Sequence, residues 1–248
     1  DYIVPTDFVK YNYVSQLLQS RGMQIAIEAH RRAKPYNMGT LYWQLNDCWP
    51  VVSWSSIDYL GNWKALHYQV KRSFENQVVL VEEKEGILNF YGINDGSDTI
   101  EDVNLELEVN NFKGENILAA VSTPKQNLEG AVKFDSSSIH ELVGEADKNE
   151  LFLNVILRGK DEKIIAETNY FFAKPKDLKL PKPNIQIKKI SATEIEISTD
   201  VLAKGVYLIG DTHFSDNFFD LLPGTSRRIK LSKPLEKIEV MSLWDTIN

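Results

Sequence analysis

Between Pro5 and Pro35, apolar residues fall at Phe8, Tyr11, Val14, Leu17, Leu18, Ile25, Ala29 and Ala33. Their spacing, mostly three or four, predicts one long helix with a single apolar stripe. Thr6 or Asp7 is placed to cap its start. Gly22 sits inside the pattern at a cost of about 1 kcal/mol against alanine, which makes it a candidate kink or break. Lys34-Pro35 should stop the helix, because a residue before proline avoids the helical region. Gly39 to Asn46 is then nearly continuous in apolar residues and suits a strand covered on both faces, as in a parallel sheet. A loop from Asp47 to Gly61 follows, and Asn62 can cap a second helix through Trp63, Leu66, Val70 and Phe74. Helix, strand, loop, helix is the order of an α/β unit.

From about Val78 the pattern changes to short alternating runs: Ile87 to Ile93, Val103 to Val109, Phe152 to Leu157 and Ile164 to Phe172. Asn94-Asp95-Gly96-Ser97 and Gly159-Lys160-Asp161 supply turn chemistry between runs. This predicts a β-sandwich. The stretch from Lys174-Pro175 to Lys182-Pro183, rich in proline and lysine, reads as a linker. Beyond it Ile185-Ile187, Ile195-Ile197, Val206-Leu208, Ile229-Leu231 and Ile238-Val240 repeat the alternation and predict a second, smaller sandwich. The expected division is 1–76 for the helical part, 77–175 for the first sandwich and 176–248 for the second.

Composition narrows the function classes. A net charge of -7 and a pI near 5.2 argue against a phosphate-tracking surface, so nucleic acid is not an expected partner. No run of about eighteen apolar residues is present to span a bilayer, and the chain reads as soluble. The single cysteine, Cys48, cannot form an internal disulfide, and the four histidines are too scattered for a local metal motif. Asp211, Asp216, Asn217 and Asp220 offer oxygens but lack the spacing of a calcium loop; turn chemistry is the better reading. No metal and no cofactor is expected, and the compartment stays open, with periplasmic, secreted and lysosomal placements all compatible.

Candidate chemistry concentrates in the run Trp43-Gln44-Leu45-Asn46-Asp47-Cys48-Trp49-Pro50-Val51-Val52-Ser53-Trp54-Ser55-Ser56-Ile57-Asp58, where three of the five tryptophans fall close together. An indole offers a flat apolar face and one N–H, which suits stacking on a sugar ring while nearby Asn and Asp bond its hydroxyls. The same three tryptophans equally fit a core. Asp47 could stand at the rim of a pocket or cap a turn, and Trp49 could face a sugar or pack under Pro50.

This run, continued by Tyr59-Leu60-Gly61-Asn62-Trp63-Lys64-Ala65-Leu66-His67-Tyr68, resembles the β-mannosidases of glycoside hydrolase family 2, with the likeness extending from about Phe8 to Phe74. Ser215 to Gly224 is similar to a motif in that family's last β domain. The resemblance implies a mixed fold: the last helices and strand eight of a (β/α)8 TIM barrel, followed by two immunoglobulin-like sandwiches. It also implies removal of terminal non-reducing β-D-mannose from mannosides and manno-oligosaccharides with retention of configuration. That chemistry uses two carboxyl groups about 5–5.5 Å apart, one a nucleophile and the other an acid and base. The family carries them on an Asn-Glu pair and a Ser-Glu-Phe/Tyr-Gly-type motif of the barrel, neither of which occurs before the β-rich region. A whole barrel takes about 250 residues, far more than precede the β-rich region, so the chain is expected to be a piece with no catalytic carboxylate. Glu28, inside the long helix, is expected to be structural.

The resemblance leaves Trp43, Asp47 and Trp49 as candidate substrate-binding residues. Trp43 should stack beneath the mannose, and its bond to Gln44 should be cis, as in similar barrel glycosidases. Two other readings are a noncatalytic carbohydrate-binding or interaction module, and another family 2 specificity such as β-galactosidase or β-glucuronidase. Strand eight would lack its neighbours, so Gly39 to Asn46 should pair with a second copy or be disordered when the chain is made alone.

Overall fold

Two helices, α1 (Phe8–Arg32) and α2 (Ala65–Ser73), form the only helical layer of any size among the described residues. The computed structural model describes residues 1–247, apart from the side chain of Ala119. Asp7 caps α1 by accepting from the Lys10 amide at 2.9 Å, which satisfies one of the free donors of the first turn. The helix runs through Gly22 without a break and ends before the Lys34–Pro35 bond. Its buried face differs from the expected stripe. Tyr13, Val14, Ile27 and Arg31 point inward, whereas Phe8, Tyr11, Leu18 and Ile25 are exposed. The helix is apolar on two sides, and spacing alone chose the side that nothing in this chain covers.

Two further expectations fail locally. Gly39 to Asn46 is not a strand: Asn46 alone forms a bridge, parallel to Ile57. A strand exists through its ladder partners, and this sequence provides only the short return at Ser56-Ile57. Asn62 does not cap α2, because Lys64 occupies that position. Asn62 is instead held by Asp58, which accepts from its amide at 2.8 Å and its side-chain nitrogen at 2.9 Å.

The first sandwich comprises β1 (Gln77–Lys84), β2 (Ile87–Asn94), β3 (Ile100–Asn111), β4 (Asn116–Ser122), β5 (Gln126–Leu128) and β6 (Gly130–Ser138). A short helix, α3 (Ile139–Val143), follows, and β7 (Leu151–Arg158) and β8 (Ile164–Phe171) complete it. One sheet has the order β1-β2-β6; the other has β4-β3-β7-β8, with β5 also paired to β3, and every pairing is antiparallel. Leu88, Phe90, Val103, Leu105, Leu107, Leu153, Val155 and Leu157 meet between them. The alternating runs read from the sequence correspond to β2, β3, β7 and β8. Polar β6 gave little signal, since Ser136, Ser137 and Ser138 end it.

The second sandwich is built from β9 (Gln186–Ser191), β10 (Glu194–Ser198), β11 (Ala203–Ile209), β12 (Phe219–Leu221), β13 (Ser226–Lys230) and β14 (Glu239–Met241), and a final turn of helix, α4 (Trp244–Ile247), follows. Its sheets run β13-β10-β9 and β12-β11-β14 around Ile195, Ile197, Val206, Leu208 and Ile229. The supposed linker is part of a core. Leu178 and Leu180 are buried with Phe112 and Phe152 of the first sandwich and Leu202 and Leu243 of the second. Proline and lysine content describes a segment's surface side; two leucines at alternate positions decided its other side.

The helices are pinned to both sandwiches. Buried Arg31 donates to the backbone oxygens of Ser73 and Glu75 and pairs with Asp95 in the β2–β3 turn, to which Lys34 also reaches. At the other end the Tyr13 hydroxyl donates to the Gly205 carbonyl, and its ring stacks on Tyr207 and Phe218. Most of the large apolar side chains that remain exposed lie between Ile3 and Phe74.

Candidate functional site

The tryptophan-rich run lies against α1 and α2 and is tied down at five places. His30 Nδ1 of α1 meets Thr40 Oγ1 at 2.9 Å, and Gln19 Nε2 donates to the Trp54 carbonyl at 2.7 Å. Ser56 bonds both sides of Trp43: its amide reaches the Gln44 carbonyl at 3.0 Å, and its hydroxyl lies 3.0 Å from Tyr42 Oη and 2.9 Å from the Leu45 carbonyl. His67 Nδ1 of α2 is 2.9 Å from the same hydroxyl. The fifth tie is Asp47.

Asp47 is 6% exposed and fully engaged within the loop. Ser53 Oγ donates to one carboxylate oxygen at 2.5 Å; Ser55 Oγ donates to the other at 2.7 Å, and Lys64 Nζ does so at 3.1 Å. The two serine hydroxyls, followed by the lysine, hold its pKa below the ordinary aspartate value, since each bond favours the charged form. Lys64 also caps the approach to α2 and donates to Ser55 Oγ at 2.8 Å. The carboxylate thus organises the turn that presents Trp49.

Trp43 and Trp49 are in a different state. Their side chains are 76% and 65% exposed. The Trp43–Gln44 peptide is cis, as expected. Trp54 is exposed as well. Of the three residues singled out from sequence, two therefore offer open indole faces and the third is committed to its own loop. An exposed large aromatic on a tethered loop can stack on the apolar face of a ring without a rearrangement of its backbone.

Sequence reasoning passed over the residues that do the tethering. Ser53, Ser55 and Ser56 are short polar residues among larger ones, and their only signal was density. Nothing in the spacing revealed that His67 would return to Ser56, because the pairing depends on how α2 packs. On its other side His67 meets Trp63 edge-on at 4.2 Å between ring centroids, and Trp63 meets His213 of the second sandwich at 4.5 Å. Burial lowers the pKa of His67, and His213 lowers it further; burial, then Lys71, lowers that of His213. Both rings are held toward neutrality by loss of water and by like charge.

Asp211, Asp216, Asn217 and Asp220 are each bonded to protein groups. Asp216 pairs with Arg72 and Arg227, Asp220 with Lys204, and Asp211 with Lys233. Asn217 exchanges two bonds with the backbone of Leu208. No helix among the described residues is long and apolar enough to cross a membrane.

Comparison with known proteins agrees with this architecture. Residues 86–177 match the family model of the mannosidase Ig/CBM-like domain, and residues 180–246 match that of the mannosidase Ig-fold domain. A β-mannosidase of Mus musculus is 30% identical over 94% of this chain and 30% of its own length. β-Mannosidase A of Aspergillus terreus is 29% identical over 96% of this chain and 29% of its own. The crystal structure of the β-D-mannosidase of Dictyoglomus thermophilum superimposes with a TM-score of 0.80 at 29% identity, covering 97% of this chain and 30% of that one. An exo-chitosanase of Amycolatopsis orientalis, at 13% identity and a TM-score of 0.72, shares the fold. The chain spans about 30% of the length of the relatives it matches. With two immunoglobulin-like sandwiches preceded by a helical piece of an unclosed barrel, the chain belongs to the β-mannosidases of glycoside hydrolase family 2 and matches the C-terminal portion of such an enzyme.

Proposed function

We propose that this chain is the C-terminal part of a retaining exo-β-mannosidase that removes terminal non-reducing β-D-mannose from mannosides and manno-oligosaccharides. The nucleophile and the acid/base glutamate lie outside the sequence, so the chain alone is inactive. Its share of the site is a sugar-facing wall: Trp43 stacks under the mannose, Trp49 flanks it, and Asp47 serves the same wall by holding the intervening turn. Residues 1–76 belong to the barrel, 77–175 to the first sandwich and 176–248 to the second. The observation that carries this reading is the exposure of Trp43 and Trp49 on a loop tethered at five points, in a chain whose relatives are β-mannosidases.

The test is release of 4-nitrophenol from 4-nitrophenyl β-mannoside, with the β-galactoside and β-glucuronide as controls. The full-length protein should turn over the mannoside and this chain should not. In the full-length protein Trp43→Ala should lower kcat/KM by about 100-fold or more, since a misplaced sugar loses the alignment that speeds reaction. Turnover by this chain alone would refute the placement of the carboxylates. Preference for a control substrate would refute the specificity.

A further inference from the structure

Ser56 is 0% exposed and its hydroxyl meets three groups at once: Tyr42 Oη, the Leu45 carbonyl and His67 Nδ1. One hydroxyl has a single proton to give. The Leu45 carbonyl can only accept; it takes the Ile57 amide at 2.8 Å on one lone pair, and its place 2.9 Å from Ser56 Oγ assigns it the serine proton on the other. Tyr42 must then donate its own hydroxyl proton to Ser56, and His67 must donate as well. The count is satisfied when His67 carries its proton on Nδ1.

We infer that Ser56 and His67 are positioning residues for Trp43, with His67 fixed as the Nδ1–H tautomer. This rests on the reading of Trp43 as the sugar-stacking residue. Ser56 holds the Gln44-Leu45 backbone that follows Trp43 and the side-chain hydroxyl of Tyr42 that precedes it, and His67 sets which way the Ser56 hydroxyl points. If the serine proton turned toward His67 instead, the Leu45 carbonyl would lose that donor. The ring that keeps this from happening is itself wedged between Ser56 and Trp63, and Trp63 rests edge-on against His213 of the second sandwich. The hold on the segment that carries Trp43 therefore runs through Trp63 to the second sandwich.

Two measurements test this. Nitrogen-15 NMR of the full-length protein, labelled at histidine, with the His67 signals assigned by their loss in His67→Asn and observed near pH 7.5, should give His67 the signature of a neutral ring protonated at Nδ1. Protonation at Nε2 overturns the proton count. In the full-length protein, His67→Leu should lower kcat/KM for 4-nitrophenyl β-mannoside by about 10- to 100-fold. His67→Asn, whose amide nitrogen lies near the place of Nδ1 and still donates, should recover most of the loss. Equal activity of the two variants overturns the positioning role. Should His67→Leu not fold, Ser56→Ala takes its place, with the same expected loss; unchanged kcat/KM in Ser56→Ala would be equally decisive against it. A wild-type protein that does not hydrolyse the mannoside refutes the proposed function, whereas the NMR result still decides whether His67 directs Ser56.

Discussion

Arg72 Nη1 lies 2.6 Å from Asp216 Oδ1, and the second oxygen of Asp216 lies 2.6 Å from Arg227 Nη1, so one carboxylate joins helix α2 to two parts of the second sandwich. Arg72 also donates to the carbonyls of Asn217 and Phe218. Burial lowers its pKa and Asp216 opposes that shift. Removing the carboxylate leaves two guanidinium groups facing each other with their neutralising charge gone. Asp216→Ala should therefore destabilise the chain by about 1–3 kcal/mol in urea denaturation, between the values for an exposed pair and for a fully buried one. An unchanged midpoint would show that the junction is held by packing alone.

A second prediction concerns Tyr13 and Gly205. Gly205 has φ +64, and a methyl group there would lie 2.7 Å from Tyr13 Oη and 3.3 Å from Leu17 Cδ1. Gly205→Ala adds backbone strain to a steric conflict and should cost roughly 2–4 kcal/mol. Tyr13→Phe keeps the stacking on Tyr207 and Phe218 but removes the donor to the Gly205 carbonyl, for about 1–2 kcal/mol. The ordering of the two losses in thermal melts is the check.

Glu28 supplies a pH-dependent prediction. Burial raises its pKa above the ordinary glutamate value, against the lowering effects of the Gln24 bond at 2.7 Å and of Arg21, Arg32 and Arg31. A carboxyl whose pKa is raised on folding favours the folded state while it is protonated. That contribution is complete below the unfolded-state value and is lost as the pH rises through the folded one. Glu28→Gln should accordingly stabilise the chain more at pH 7.5 than at pH 4. The opposite order in paired melting curves would show that Glu28 is stabilised as an anion.

The exposed apolar face predicts the behaviour of the chain in solution. Phe8, Leu18, Ile25, Leu41, Leu45 and Val52 are all exposed in the helical part of the chain, and exposed apolar surface of this amount is the kind that proteins bury against a partner. The isolated chain should self-associate with increasing concentration in size-exclusion chromatography with light scattering, and the full-length protein should not do so through this face. A monodisperse monomer with Gly39 to Asn46 fully ordered would contradict the expectation.

The β-rich part was readable in the sequence because alternation at Ile87 to Ile93 or Val103 to Val109 has one meaning when a sandwich lies within the same chain. Helix α1 was readable in extent but not in orientation. Its two apolar faces are equivalent to a periodicity argument, and contact with Gly205 and Phe218, far along the chain, decides that Tyr13 points inward. The Gly39 to Asn46 run misled for a related reason. Its composition suits a covered strand, yet pairing partners, not composition, make a strand. At the site, Trp43 and Trp49 were visible as bulky residues in an unusual cluster. Ser56 and His67 were not, because a serine and a histidine eleven positions apart acquire meaning only when a helix brings them together.

Leu178 and Leu180 have a bearing on how such proteins can be recombined. Because these leucines complete a core shared by Phe112, Phe152, Leu202 and Leu243, the two sandwiches are separable as text and joined as material. A chimera that exchanges one sandwich for a homologue's would leave half of that core facing an unmatched surface, whereas exchanging both with the connecting segment transfers it whole. The natural unit of exchange in this region is the pair.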